Sequence, residues 1–208
     1  MPNHITNRMT VIQGQYDLSK ITTFNTVSPM PRALKDTEHN SIAMDVERML
    51  GTTRTFFGDR PTLPDLYDKY SEQNGDEVIT FLISNQITYG ATSWLNWSIK
   101  NWGTKWDMYD VLCENNVLSF DTAWSTPIKW VEAFSKTLPD GVIIKLEYAD
   151  EDIGSNAGVI EISNKSCIGN RFDNDSDDAW KLAIDLKDMG DLCKKIDGQW
   201  VYVDEDDQ

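Results

Sequence analysis

The densest chemistry in the sequence is aromatic. Trp94, Trp97, Trp102, Trp106, Trp124 and Trp130 fall within 37 residues. Large aromatics dominate both cores and binding surfaces. The cluster therefore has two readings: side chains packed under a sheet, or a platform that stacks a base or anchors a partner. Trp102-Gly-Thr-Lys-Trp106 is its sharpest part. Gly103 permits a tight turn, Thr104 and Lys105 offer donors, and the flanking rings wall a site suited to an anionic or planar ligand. The same residues also suit a structural turn whose lysine pairs with an acid. Trp102, Gly103, Thr104, Lys105, Trp106, Asp107, Asp121, Trp124, Tyr148 and Glu151 make up the candidate ligand- or partner-binding set.

Other chemistry-bearing groups are weaker. Asp121, Glu147, Asp150, Glu151 and Asp152 are carboxylates near the ends of expected strands, where paired acids do acid/base work or hold Mg²⁺; they equally suit a solvated hairpin rim. Asp173-Asn-Asp-Ser-Asp-Asp178 begins like a calcium loop, but Asp178 and Ile184 stand where an EF-hand needs Gly and Glu. It reads as an acidic helix cap. His4 and His39 are the only histidines, and His4 reads as structural. The sequence holds no His-Glu-x-x-His, Walker loop, Gly-x-Ser-x-Gly or Gly-x-Gly-x-x-Gly. Cys113, Cys167 and Cys193 are odd in number and far apart, which gives neither a disulfide framework nor a Cys-x-x-Cys metal site. No catalytic residue, metal or cofactor is assigned, and binding is favoured over catalysis.

Composition narrows the partners. The chain has 208 residues and a net charge of −15. Residues 170–208 alone carry 12 acidic against 5 basic side chains. Duplex binding is driven by cationic groups, so direct nucleic-acid binding is not expected. An acidic surface can imitate nucleic acid or simply aid solubility. No run of about 18 apolar residues is present, so no membrane span is expected. The opening residues lack an apolar signal core, which points to the cytosol.

The elements that position these residues follow from periodicity. Residues 4–13 alternate and end at Gly14, a first strand. Asp17 to Ile21 reads as a short helix, and Thr22 to Val27 as extended. Asn40 or Ser41 caps a helix with Ile42, Val46, Met49 and Leu50 on one face, stopped by Gly51. Residues 52–64 read as loop, with a helical turn or two over Asp65 to Tyr70. Asp76 to Tyr89 is either a buried strand or a helix; Asp76 as cap and Gly90 as stop favour the helix. Leu118, Phe120, Thr122 and Trp124 line one strand face. Ser125-Thr-Pro127 opens a helix with Ile128, Val131, Phe134 and Leu138 inward. Val142 to Tyr148 and Val159 to Ser163 form a hairpin. Ser176 or Asp177 caps a last helix, which Gly190 ends, and Trp200 to Val203 reads as an edge strand before a frayed acidic tail at Asp204 to Asp207. Strands mixed with helices around hairpins predict an α+β antiparallel sheet with helices packed on one face.

Five ordered segments carry a family resemblance: Met1-Pro-Asn-His with Asn7; Phe24-Asn25 with Pro29-Met30-Pro31; Asn101-Trp-Gly-Thr-Lys-Trp-Asp107; Phe120-Asp-Thr-Ala-Trp-Ser125; and Leu146-Glu-Tyr-Ala-Asp-Glu151. Together they resemble the YubB-type ferredoxin-like proteins of phages, prophages and conjugative plasmids. The matches run from residue 1 to about 158 and imply a ferredoxin-like α+β sandwich; the chain is read as a single such domain over residues 1–208. A mainly helical insertion is expected at about 36–100 and an acidic C-terminal extension at about 170–208. The resemblance does not imply an iron–sulfur cluster, since three scattered cysteines do not supply four ligands. It implies an accessory protein of a mobile genetic element, acting in the cytoplasm of a bacterial host. The expected partner is a host protein such as a defence factor or nuclease; the alternative is a nucleotide-like small ligand held by the Trp102–Trp106 segment. The chain departs from the family pattern at Lys100, Asp107 and Thr126, where Glu, Asn and Pro are common.

Overall fold

The computed structural model describes residues 3–52, 60–73 and 75–203. In chain order the elements are β1 (His4–Gln13), α1 (Arg32–Lys35), α2 (Ser41–Leu50), α3 (Leu63–Tyr70), α4 (Gly75–Tyr89) and α5 (Trp94–Asn101). Then follow β2 (Tyr109–Glu114), β3 (Val117–Ala123), α6 (Ile128–Ser135), β4 (Ile143–Asp150), β5 (Gly158–Ser163) and β6 (Ser166–Arg171). The chain closes with α7 (Asp177–Lys187), β7 (Cys193–Ile196) and β8 (Gln199–Tyr202). It divides into two compact units, residues 1–28 with 102–208, and residues 29–101.

The first unit is built on a six-stranded sheet in the order β2-β3-β1-β4-β5-β6, antiparallel throughout. This is the expected α+β, ferredoxin-like class. Alternation along β1 decides what each face meets. Ile5, Asn7 and Met9 are fully buried and stand in register with Thr122, Phe120 and Leu118 of β3. They also stand in register with Asp150, Tyr148 and Leu146 of β4. This face takes α6, whose Trp130, Val131 and Phe134 are fully buried. Phe24 completes the layer, 5.1 Å from Trp130 and 6.0 Å from Phe120 between ring centroids.

The opposite face carries Thr6, Arg8 and Ala149, and it takes α7. Arg8 reaches Asp185 of α7 at 2.6 Å and Glu147 of β4 at 3.0 Å. Ala149 joins a core of Ala179, Trp180, Ala183 and Cys193. The expected one-sided packing thus describes α6, and α7 adds a layer on the other side.

Several local expectations are corrected. Thr22 to Val27 is not extended: Phe24–Thr26 is a 3-10 turn, because the Thr23 side chain caps the Asn25 amide. The expected edge strand at Trp200 to Val203 is present as β8, outside the main sheet. It pairs with β7 in a separate hairpin, whose Trp200 stacks on Trp180 at 5.8 Å and donates to Asp177 at 3.0 Å. The last helix ends at Asp188 in the left-handed region, two residues before Gly190. The reading of 52–64 as loop stops at Leu63, where a Thr62–Asp65 capping box starts α3; residues 53–59 lie outside the described residues. So does the Asp204–Asp207 tail.

The second unit packs α2, α3 and α4 around Ile42, Val46, Leu66, Tyr70, Ile79 and Leu82. Asn40 caps α2 and Gly51 closes it with φ +69, as its sequence requires. Asp45, on the inner side of α2, receives Lys69 at 2.6 Å and the Tyr70 hydroxyl at 2.7 Å. Burial alone would raise its carboxyl, but those two hydrogen bonds together with the charges of Lys69 and Arg48 outweigh it and hold the group below the ordinary carboxylate range. No helix among the described residues is long and apolar enough to cross a membrane.

Candidate functional site

The segment from Trp102 to Asp107 is fastened at nearly every second residue. Trp102 is buried beside Phe24 and donates its indole N–H to the Ser28 carbonyl at 2.9 Å. The chain leaves the sheet unit at Ser28 and returns at Trp102, so this bond ties exit to re-entry. Gly103 has φ +86, and a Cβ there would lie 3.1 Å from the Lys129 nitrogen and 3.2 Å from that of Ile128. Only glycine fits a left-handed turn that tight against the start of α6. Thr104 is buried, and its hydroxyl donates to the Ala123 carbonyl at 2.7 Å. Asp107 accepts the Phe24 amide at 2.6 Å, the Asn25 side chain at 2.9 Å, the Met108 amide at 2.9 Å and the Thr23 hydroxyl. Trp102, Gly103, Thr104 and Asp107 are therefore internal fasteners.

Their effect is to push Lys105 and Trp106 outward. Trp124 joins them because it leaves the β3 alternation. Its φ is +68, unusual for a large side chain, and its amide is held by the Asn3 carbonyl at 2.8 Å. Instead of continuing the inner face of Leu118, Phe120 and Thr122, Trp124 turns out and is 52% exposed, with Trp106 39% exposed. The two rings stack with centroids 6.4 Å apart and an interplanar angle of 29°. Lys105 Nζ lies 4.9 Å from the Trp106 ring centroid and 4.5 Å from that of Trp124. Two exposed indoles with an ammonium set against them offer apolar area, stacking and positive charge on a rigid loop.

Asp121 and Glu151 belong to a different group, on the α7 face. Asp121 is half-buried and hydrogen-bonded by Thr6; burial pushes its carboxyl up. Lys187 of α7 is also half-buried and donates to Thr6 at 3.1 Å. Burial lowers its ammonium against the pull of Asp121, Asp150 and Glu151. Tyr109 stands across from Asp121 in β2. Its hydroxyl is pushed up to about 12 by burial and then by Asp121, Asp110 and Glu151, and it lies 2.8 Å from His4 Nδ1. Glu151 is exposed, and its amide is held by the His4 carbonyl at 2.9 Å.

His4, Tyr109 and Lys187 complete this polar group, and sequence pattern does not single them out as site residues. Tyr109 sits beside a bulge and Lys187 is 66 residues from Asp121, so only the strand register and α7 bring them together. Of the remaining strand-end acids, Asp152 is exposed and accepts the Ser155 hydroxyl at 2.9 Å, while Glu147 and Asp150 are internal. Asp150 accepts the Asn3 side chain at 2.7 Å and the Asp152 amide at 3.0 Å. Glu147 meets Arg8 at 3.0 Å and Lys145 at 2.8 Å. Among the described residues no three or more His, Cys, Asp or Glu side chains converge as a metal-ligand set. Tyr148 lies on the α6 face, buried, apart from both groups.

No curated protein and no solved structure matches the chain. Residues 101–204, which hold the tryptophan platform, the sheet from β2 onward and α7, match the model for the ferredoxin-like domain in Api92-like protein. That span is half of the chain, and the chain belongs to this ferredoxin-like family.

Proposed function

We propose that the protein is a phage or plasmid accessory protein that acts by binding rather than catalysis. In this reading it works in the cytoplasm of a bacterial host and holds a host protein, such as a defence factor or nuclease. The exposed Trp106–Trp124 pair with Lys105 carries the proposal. Partner-binding surfaces concentrate their energy in a few rigid aromatic and cationic side chains. Here such side chains are held out by a loop whose other members are all spent on internal bonds. The mobile-element setting rests on the resemblance of the five sequence segments, and the net charge of −15 suits a partner with a basic face.

The test is affinity capture from nuclease-treated host lysate with the full chain and with Trp106→Ala/Trp124→Ala. The expected result is a near-stoichiometric host protein held by the wild type and lost from the double variant, with melting curves within a few degrees of each other. Equal capture by both would overturn the role of the platform.

A nucleotide-like ligand is the second reading, favoured by the same two rings, which can stack a base beside the Lys105 ammonium. Native mass spectrometry of the protein from host cells distinguishes it. A co-purifying nucleotide absent from Lys105→Ala supports this reading, and an empty wild type rejects it.

A further inference from the structure

The α6 face of the sheet holds a cleft of about 300 Å³ between α6 and the β5–β6 edge. That volume is at the lower bound for small-molecule pockets, about 300 Å³. Its shape comes from the strand register. Tyr148, Gly158 and Arg171 form one row across β4, β5 and β6, and Leu146, Ile160 and Gly169 form the next. A Cβ at Gly158 would lie 2.6 Å from the Tyr148 hydroxyl oxygen. Glycine there is what lets the tyrosine lie across the sheet toward β6. Gly169 leaves the floor open, since a Cβ would meet only Ile160 at 3.5 Å and the Val159 carbonyl at 4.0 Å. Ile128 and Val131 of α6 form the apolar wall.

The polar groups are few and convergent. Tyr148 is only 7% exposed and lines the cleft, with no hydrogen bond to its hydroxyl among the described residues. Burial raises it, against the field of Arg171, so it stays a donor. Arg171 is exposed on the adjoining edge strand and has no ion-pair partner among the described residues. Glu132, the acid of the cleft, pairs with Lys129 at 3.0 Å. Cys167 donates to the Val131 carbonyl at 3.7 Å, and burial keeps it a thiol.

We propose that this cleft binds a small molecule with an oxyanion head and a compact apolar body. The head lies between the Arg171 guanidinium and the Tyr148 hydroxyl; the body lies over Gly169 and Ile160 against Ile128 and Val131. A guanidinium fork with a neutral hydroxyl donor recognises carboxylate and phosphate alike. This site is independent of the tryptophan platform.

The experiment titrates the full chain with benzoate, phenyl phosphate and benzyl alcohol, following backbone amide shifts by NMR. Saturable shifts at Gly158, Gly169 and Arg171 are expected from one or both anions, at least about tenfold tighter than from the alcohol. The tighter anion identifies the head as carboxylate or phosphate. Arg171→Gln weakens it about tenfold with an unchanged melting curve. Gly169→Val fills the floor and blocks binding, whereas Gly169→Ala meets only ordinary contacts and keeps the fold. Absence of saturable shifts from both anions, equal binding of benzyl alcohol, or indifference to Arg171→Gln overturns the proposal.

Discussion

At the residue scale, the platform depends on side chains that never touch a partner. Asp107 accepts four donors from residues 23–25 and 108, among them the Phe24 amide. An Asn at this position, common in the family the sequence resembles, would turn an NH₂ toward some of those donors. Asp107→Asn is expected to cost about 1.5–3 kcal/mol, read as a lowered urea midpoint. Asp121 behaves oppositely. Burial raises its folded-state pKa above the ordinary value, so the folded state holds the proton more tightly than the unfolded chain. Its stabilising contribution is present below the unfolded pKa and is lost as pH rises through the folded one. Asp121→Asn is therefore expected to be more stable than wild type at pH 7, with the difference vanishing as pH falls through the carboxylate range. A variant less stable at pH 7 would contradict this assignment. The sequence exposed part of this scale: Lys105, Trp106 and Trp124 were selected and do come together. It did not reveal that Trp102 and Thr104 turn inward. Spacing does not report that Trp124 has φ +68 and leaves its strand face.

At the element scale, legibility followed local signals. The first strand, α2, α4 and α7 were readable from periodicity, caps and stops: Asn40 with Gly51, Gly90 after Tyr89, Ser176 before Ala179; Asp76, expected as a cap, instead lies in the first turn of α4, which starts at Gly75. β2 escaped because its register shifts between Tyr109 and Leu112, which breaks the alternation a strand is recognised by. β6 escaped because it is a mostly exposed edge, Ser166-Cys-Ile-Gly-Asn-Arg171, with little apolar pattern. α5 was hidden inside the tryptophan cluster, where composition outweighed period. In the helical unit, Asp45 links α2 to α3 through Lys69 and Tyr70. Its folded pKa is depressed, so its contribution is present above the unfolded pKa and is lost as pH falls through the folded value. Asp45→Asn is expected to cost about 2 kcal/mol at pH 7. Denaturation repeated well below the ordinary carboxylate value should show the two proteins converging. A constant difference across pH would assign the loss to packing instead.

At the scale of the whole molecule, charge and contact play separate parts. The excess of acid is strongest after residue 170, yet the described part of this region, residues 171–203, is no loose appendage. α7 holds Arg8 and buries Ala149, Ala179 and Ala183 on the sheet. Deleting residues 170–208 would remove a layer of the fold, so it is a poor probe of charge. Salt is the better one. If the acidic surface steers a basic partner, raising ionic strength should slow association with little effect on dissociation, whereas Trp106→Ala should mainly speed dissociation. The most direct test of the central claim is hydrogen–deuterium exchange of the complex with the captured host protein. Protection is expected at residues 103–109 and 123–127, with the β7–β8 hairpin unchanged. Protection confined to the acidic C-terminal region, with the tryptophan loop exchanging as in the free protein, would contradict the account.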